Sequence, residues 1–359
     1  MNPYENLPLE SFWRTAIANL EPSQIEKIWK PKFSINKKQK IITLGSCFAQ
    51  HISKALMAEG YSWLDGEPAP RGLTASSQEL FNYGVFSFRT GNIYTAALLK
   101  QWIKWSISDK TIPEEAWIKD NRFYDPFRPN IELNGFSSFE EMLASRNDTL
   151  TAIQHSFKKA SLFVFTLGLT EGWINKQHKH VYPMCPGTIA GDFDADKHEF
   201  INYSYTEIRK ELRECFNLIK TINPNIRFLL TVSPVPLTAT ATNKHVLVAT
   251  TYSKSTLVAV AHDMANSRPD TDYFPSYELI TSFPFKGMFY QTNLRSVTNE
   301  GVNFVMGHFF SCLGHKTAKN NIANTSNDPQ LLVESIEENN DVVCEEELLA
   351  AFGNTGKEI

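Results

Sequence analysis

The sequence predicts an α/β fold, a three-layer α/β/α sandwich built on a mostly parallel sheet. Three observations carry that expectation: short apolar runs, helical periodicity between them, and a polar cluster at the end of each run. Nearly continuous hydrophobicity over so few residues is the pattern of a strand buried on both faces, which is how parallel sheets sit between helices. Strands alternating with helices give the layered architecture.

The elements follow in chain order. Residues 1–34 carry Phe12, Trp13, Trp29 and Phe33 among prolines and lysines, and read as an arm packed on the core. The run "KIITL" ending at Leu44 is the first strand. In "CFAQHISKALMAEG" behind it, Phe48, Ile52, Ala55 and Leu56 fall on one helical face and Gly60 closes the pattern. Residues 61–135 are rich in Trp, Tyr, Phe, Gly and Pro without periodicity, an insertion or cap beside the sheet. A helix over "FEEMLASRNDTLTAIQHSFKKA" leads to the strand "SLFVFTL" ending at Leu167. The helix "SYTEIRKELRECFNLIKTI", stopped by Asn-Pro, leads to the strand "IRFLLTV" ending at Val232. The helix "HVLVATTYSKSTLVAVAHDMAN" leads to "TDYFP", ending near Phe274. The domain so described spans 35–310. From 311 to 359 the chain turns polar and then acidic with few aromatics, which predicts a largely disordered tail with one marginal helix, open to an unknown protein partner.

Composition narrows the function. With 42% hydrophobic residues the chain has material for a large core. The formal charge of −4 is spread without a long basic run, so nucleic acid is not an expected partner. The cysteines Cys47, Cys185, Cys215, Cys312 and Cys344 are widely spaced with no CxxC pair, which argues against a disulfide framework or a structural zinc site. The N-terminus "MNPYENLPLESFWR" lacks the basic and apolar regions of a signal peptide, and no apolar run reaches the roughly 20 residues of a membrane span. These features predict a soluble, cytoplasmic chain with no membrane insertion.

Ligands of open α/β sheets bind at the carboxyl ends of the strands. Here those ends read "GSCFA", "GLTEGW", "SPVPL" and "PSYEL", offering Ser46, Glu171, Ser233 and Glu278 to one face. Ser46 precedes a helix, so its plain reading is an N-cap. Its chemical reading is a nucleophile at a helix N-terminus, where unpaired amides and the dipole stabilise negative charge, with Gly45 allowing close approach of substrate. Cys47 is a rival nucleophile, since a helix N-terminus also acidifies a thiol; otherwise it is a small packed residue. Tyr277 and Glu278 would orient a base or bind hydroxyls, or simply form a helix first turn. Lys254 in "YSKS" reads as a solvated helix residue. The prolines of "SPVPL" read as a rigid turn with a share in a pocket wall.

These residues carry a resemblance. "TLGSCFAQHI" resembles the signature of the GSCFA family, named for this string and grouped with the SGNH, or GDSL-like, hydrolases. "TGNIYTAALLKQW", "FTLGLTEGW", "VYPMCPGT", "LLTVSPVPLTAT" and "DYFPSYELI" resemble further blocks of the family, in order, over about residues 35–310. The resemblance implies an ester-bond hydrolase of esterase or deacetylase type, acting through Ser46 on an O-acylated glycan or similar ester and needing no metal or organic cofactor. It implies an oxyanion hole from amides near Ser46 and Gly168, with Thr170 standing where the SGNH pattern has Asn, Glu171 where it has Asp, and Asn92 as another donor.

The chain also departs from that pattern. SGNH hydrolases carry Asp-x-x-His before the last helix, and "YQTNLRSVTNEGVNFVM" has Asn293 and Ser296 at those positions. A serine without a base is a poor nucleophile. Among the remaining histidines, His245 opens the helix after "SPVPL" on the expected catalytic face and is the candidate base. A catalytically inactive carbohydrate-binding protein and an O-acyltransferase of glycan biosynthesis, with the 61–135 segment as lid, remain as alternatives.

Overall fold

The computed structural model describes residues 2–108, 113–314 and 345–353. Most of the 311–359 tail, with His315 and Cys344, therefore lies outside the described residues. The chain forms two compact units, one of Met1–Ser34 with Phe274–Val343, the other of Ile35–Tyr273 with Cys344–Ile359.

The larger unit is the α/β sandwich. Its elements are β1 (Ile41–Gly45), α1 (Phe48–Ala58), α2 (Ala75–Leu80), α3 (Ala96–Ile107), β2 (Trp117–Lys119), β3 (Arg122–Tyr124), α4 (Phe139–Phe157), β4 (Leu162–Leu167), β5 (Glu171–Asn175), β6 (Val181–Tyr182), β7 (His198–Asn202), α5 (Tyr205–Ile222), β8 (Arg227–Val232), α6 (Val246–Ser267) and β9 (Thr271–Tyr273). The central sheet has the order β1-β4-β8-β9 and is parallel throughout. Every residue of β1, β4 and β9 is buried, as is β8 apart from Arg227, so helices cover both faces. The helices start where the sequence supplies caps. Ser138 Oγ accepts the Glu141 amide before α4, and Ser204 with Glu207 forms a reciprocal capping box before α5.

On the far side of β1 from β4, Trp63 makes a parallel bridge to Ile41, and the chain near Ser87 and Ile93 also bonds to β1. The path thus leaves β1 to one side and returns to β4 on the other. That reversal is a topological switch point, where open α/β sheets form their binding crevice.

The aromatic-rich insertion is held by charge as well as by rings. Asp125 is fully buried and paired with Arg128 at 2.8 Å and with Arg146 of α4 at 2.9 Å. Arg128 also donates to Thr149 Oγ1 and to the Arg89 carbonyl. A second small sheet, β6-β5-β7, is antiparallel.

The smaller unit contains α7 (Ser276–Thr281) and α8 (Asn299–Cys312). Trp29 of the N-terminal arm stacks on Phe309 of α8 with centroids 5.5 Å apart and meets Phe274 edge-on at 5.1 Å. The arm thus groups with the segment from Phe274 onward. In the larger unit, α9 (Ala350–Gly353) follows a 3₁₀ turn over Glu345–Leu349. No helix among the described residues is long and apolar enough to cross a membrane.

Candidate active site

Ser46 stands at the carboxyl end of β1, at the switch point. The β1–β4 ladder pairs Gly45 with Thr166 and continues one residue further, so the Ser46 amide donates to the Thr166 carbonyl at 3.1 Å. Gly45 has φ +142°, and a Cβ placed on it would lie 2.4 Å from the Thr166 carbonyl oxygen. Only glycine allows this crossing before the helix. The Ile93 amide donates to the Gly45 carbonyl at 2.8 Å, which sets the buried Asn92 beside Gly45.

Ser46 is not an N-cap. The cap position of α1 is Cys47, without a capping side-chain bond, and Ser46 Oγ is buried with no hydrogen-bond partner. Buried hydroxyls are ordinarily satisfied, so one left open at a switch point calls for a ligand. Cys47 is buried at the first turn of α1.

Gly168 packs directly on the serine: a Cβ on Gly168 would sit 2.9 Å from Ser46 Cβ. After it, Thr170 is fully buried and its Oγ1 likewise has no partner, as is true of Thr166 Oγ1. The structure therefore brings Gly45, Ser46, Asn92, Gly168 and Thr170 together. Glu171 opens β5 beside them and accepts from Thr240 Oγ1 at 2.7 Å. Burial pushes its carboxyl up, and the Glu346 carboxylate adds to that rise.

Two expectations need correction. Of the amides near Ser46 and Gly168 expected as oxyanion donors, those of the two residues themselves donate elsewhere: the first to the Thr166 carbonyl, the second to the Tyr94 carbonyl at 3.1 Å. The ladder and the β4 turn use these two amides, while the Thr170 hydroxyl of the same loop has no partner. Lys254, expected in solvent, is 1% exposed, and its Nζ donates to the Gly168 carbonyl at 2.7 Å. A lysine in a local window reads as solvent-facing, and only the tertiary packing of α6 against the Gly168 loop buries it.

His245 does not reach the serine. Its side chain caps α6 by accepting the Leu247 amide on Nδ1 at 3.2 Å, and the residue is exposed. Ser46 Oγ, without a partner, has no histidine bonded to it. Glu278 lies in the first turn of α7, in the smaller unit. There too, Asn293 Oδ1 accepts the amides of Arg295 and Ser296 at 2.9 Å, and its Nδ2 donates to Ser296 Oγ at 3.0 Å. Among the described residues no cluster of His, Cys, Asp and Glu is arranged to hold a metal ion. A separate groove of about 1320 Å³ lies between α3 and the β5–β7 sheet, lined by Lys100, Trp105, Glu115, His180 and His198; neither Ser46 nor Gly168 borders it.

A model described as the GSCFA family matches residues 40–309, well over half of the chain, from β1 into α8. The chain belongs to the GSCFA family. The string that gives the family its name occupies Gly45–Ala49, the β1–α1 turn just described. A comparison with curated proteins found no match.

Proposed function

We propose that this GSCFA protein is an SGNH-like serine hydrolase, of esterase or deacetylase type, that acts through Ser46 on an O-acylated substrate, a glycan ester being the class the resemblance implies. The observation that carries the reading is the Ser46 hydroxyl: buried, without a hydrogen-bond partner, and set at the switch point against Gly168. In this reading Ser46 Oγ attacks the acyl carbon, its proton passes to a base, and the carbonyl π electrons move onto the oxygen. The Thr170 hydroxyl donates to that oxyanion. The tetrahedral intermediate then collapses, expelling the alcohol with a proton returned to it. Water repeats the cycle on the acyl-serine. Cys47, Cys185, Cys215 and Cys312 are not joined in disulfides, which favours a reducing, cytoplasmic setting.

A second reading, a binding protein that holds the ester without turning it over, is favoured by one observation. Asn293 and Ser296, at the positions of the usual Asp and His, bond to each other and to the local backbone.

Intact-mass labelling with a fluorophosphonate separates the two. Under the hydrolase reading the wild type gains one adduct, Ser46→Ala gains none, and Cys47→Ala keeps it. His245→Ala keeps it too, since that ring caps a helix. No adduct on a folded wild type sinks the hydrolase reading and leaves the binding one. Loss of label in His245→Ala alone would return the base role to that residue.

A further inference from the structure

The loop that presses on Ser46 is bonded at nearly every backbone polar group. The amides of Gly168 and Leu169 both donate to the Tyr94 carbonyl, at 3.1 and 3.0 Å, and the Thr170 carbonyl accepts the Tyr203 amide at 2.8 Å. The two remaining contacts come from adjacent residues of α6. Ser253 Oγ accepts the Thr170 amide at 3.0 Å, and Lys254 Nζ donates to the Gly168 carbonyl at 2.7 Å. Ser253 is fully buried and Lys254 is 1% exposed.

A lysine in such a place is expensive, because taking an ammonium out of water costs several kcal/mol before its contacts repay any of it. Lysine is almost never fully buried for packing alone. Here its head group meets the carbonyl of Gly168, on which a Cβ would sit 2.9 Å from Ser46 Cβ. Two residues further along, the same loop carries the open Thr170 hydroxyl.

We propose that Lys254 is a positioning residue for the Ser46 site. With Ser253 it clamps the Gly168–Thr170 loop from α6, so that Gly168 sets the Ser46 side chain and Thr170 Oγ1 faces the ligand oxygen. The inference rests on the nucleophile reading of Ser46 for its consequence in rate, and on hydrogen bonds alone for the clamp. Lys254 touches neither the reacting atoms nor Ser46 Oγ; it acts through Gly168. Displacing a reacting group by about 1 Å lowers rates on the order of a hundredfold.

The test measures two things in the full-length chain: the rate of fluorophosphonate labelling as a function of pH, and amide hydrogen exchange of the peptide spanning 166–172. Lys254→Met keeps the length and loses the donor; Lys254→Arg restores a cationic donor; Ser253→Ala removes only the acceptor for Thr170 and is the milder change should Lys254→Met fail to fold. We expect Lys254→Met to label about 10- to 100-fold more slowly at every pH and to exchange faster over 168–170. Lys254→Arg should recover a large part of both, and Ser253→Ala should fall between. An unshifted pH profile with a lower plateau is the mark of positioning; a profile whose midpoint moves assigns Lys254 a proton-transfer role instead and overturns the proposal. Labelling of Lys254→Met and Ser253→Ala at the wild-type rate overturns it as well. If the wild type takes no label, the nucleophile reading has failed on its own account, and exchange decides the clamp: faster exchange in Lys254→Met rescued by Arg upholds it, unchanged exchange ends it.

Discussion

Gly45 and Gly168 meet the serine from two sides, and each has a different reason to be glycine. At Gly45 the backbone itself demands it, with φ +142° and a virtual Cβ 2.4 Å from the Thr166 carbonyl oxygen. Backbone strain of that kind alone is worth about 1–3 kcal/mol, and the clash with main chain adds to it. Gly45→Ala is therefore expected to lose at least about 2 kcal/mol in urea denaturation; a change within about 0.5 kcal/mol, the range of an ordinary surface substitution, would show that β1 ends with slack. At Gly168 the tightest obstacle is the Ser46 Cβ at 2.9 Å, with the Tyr94 ring and carbonyl at 3.2 Å, so alanine there acts first on the site. Gly168→Ala should retain a cooperative transition and lose fluorophosphonate labelling. Ser46 itself was legible because a hydroxyl between a strand and a helix has few uses. Lys254 was not, since its role depends on which turn of another strand α6 lies against, and a charged residue in a local window reads as solvent-facing.

At the scale of elements, the strands were the most readable part, because burial on both faces writes itself as unbroken apolar runs. The insertion between β1 and β4 was the least readable. Its order comes from a fully buried ionic cluster joining Asp125 and Arg128 to Arg146 of α4, residues whose spacing has no local period. Burial alone would push the Asp125 carboxyl up, but Arg146 and Arg128 outweigh it and hold the group below the usual carboxylate range. Asp125 is thus a group with a depressed folded-state pKa. Its stabilisation is present above the unfolded value near 3.9 and is lost as pH falls through the folded value. Asp125→Asn strands two buried guanidinium groups, and breaking a buried pair costs about 3–5 kcal/mol. Denaturation at pH 7 should show a loss of that order, and the gap from wild type should narrow below about pH 4. A gap that stays constant down to acid would mean that the aspartate is not charged in the native protein.

On the scale of the whole molecule, the family match runs through both compact units, from residue 40 to residue 309, while the turn that names the family lies wholly in the larger one. The segment 345–353 also counts with that larger unit, and its Glu346 bonds to it through a carboxylate. Glu346 is 8% exposed and accepts the Thr238 amide at 2.8 Å, in the loop where Thr240 bonds Glu171. Composition alone reads the acidic tail as solvated; a single buried glutamate within it escapes that reading because its amide partner lies 108 residues away. Burial first, and the like charge of Glu346 second, raise the Glu171 carboxyl above its ordinary range. The sign for a raised group is the reverse of that for Asp125. The contribution of Glu171 is fully present below the unfolded value near 4.3 and is lost as pH rises through the higher folded value. Glu171→Gln keeps an oxygen for Thr240 and removes the titration, so its stability relative to wild type should improve between about pH 4 and pH 7, by less than about 1 kcal/mol given partial exposure. Glu346→Gln keeps an acceptor for Thr238 and removes only the neighbouring charge, which moves the same loss to lower pH without abolishing it. Urea midpoints across that window separate the cases. If both variants run parallel to wild type, the Glu346 carboxylate does not sit beside Glu171 in solution; if Glu346→Gln shifts the profile downward while Glu171→Gln flattens it, Glu346 is electrostatically coupled to the loop beside Thr170.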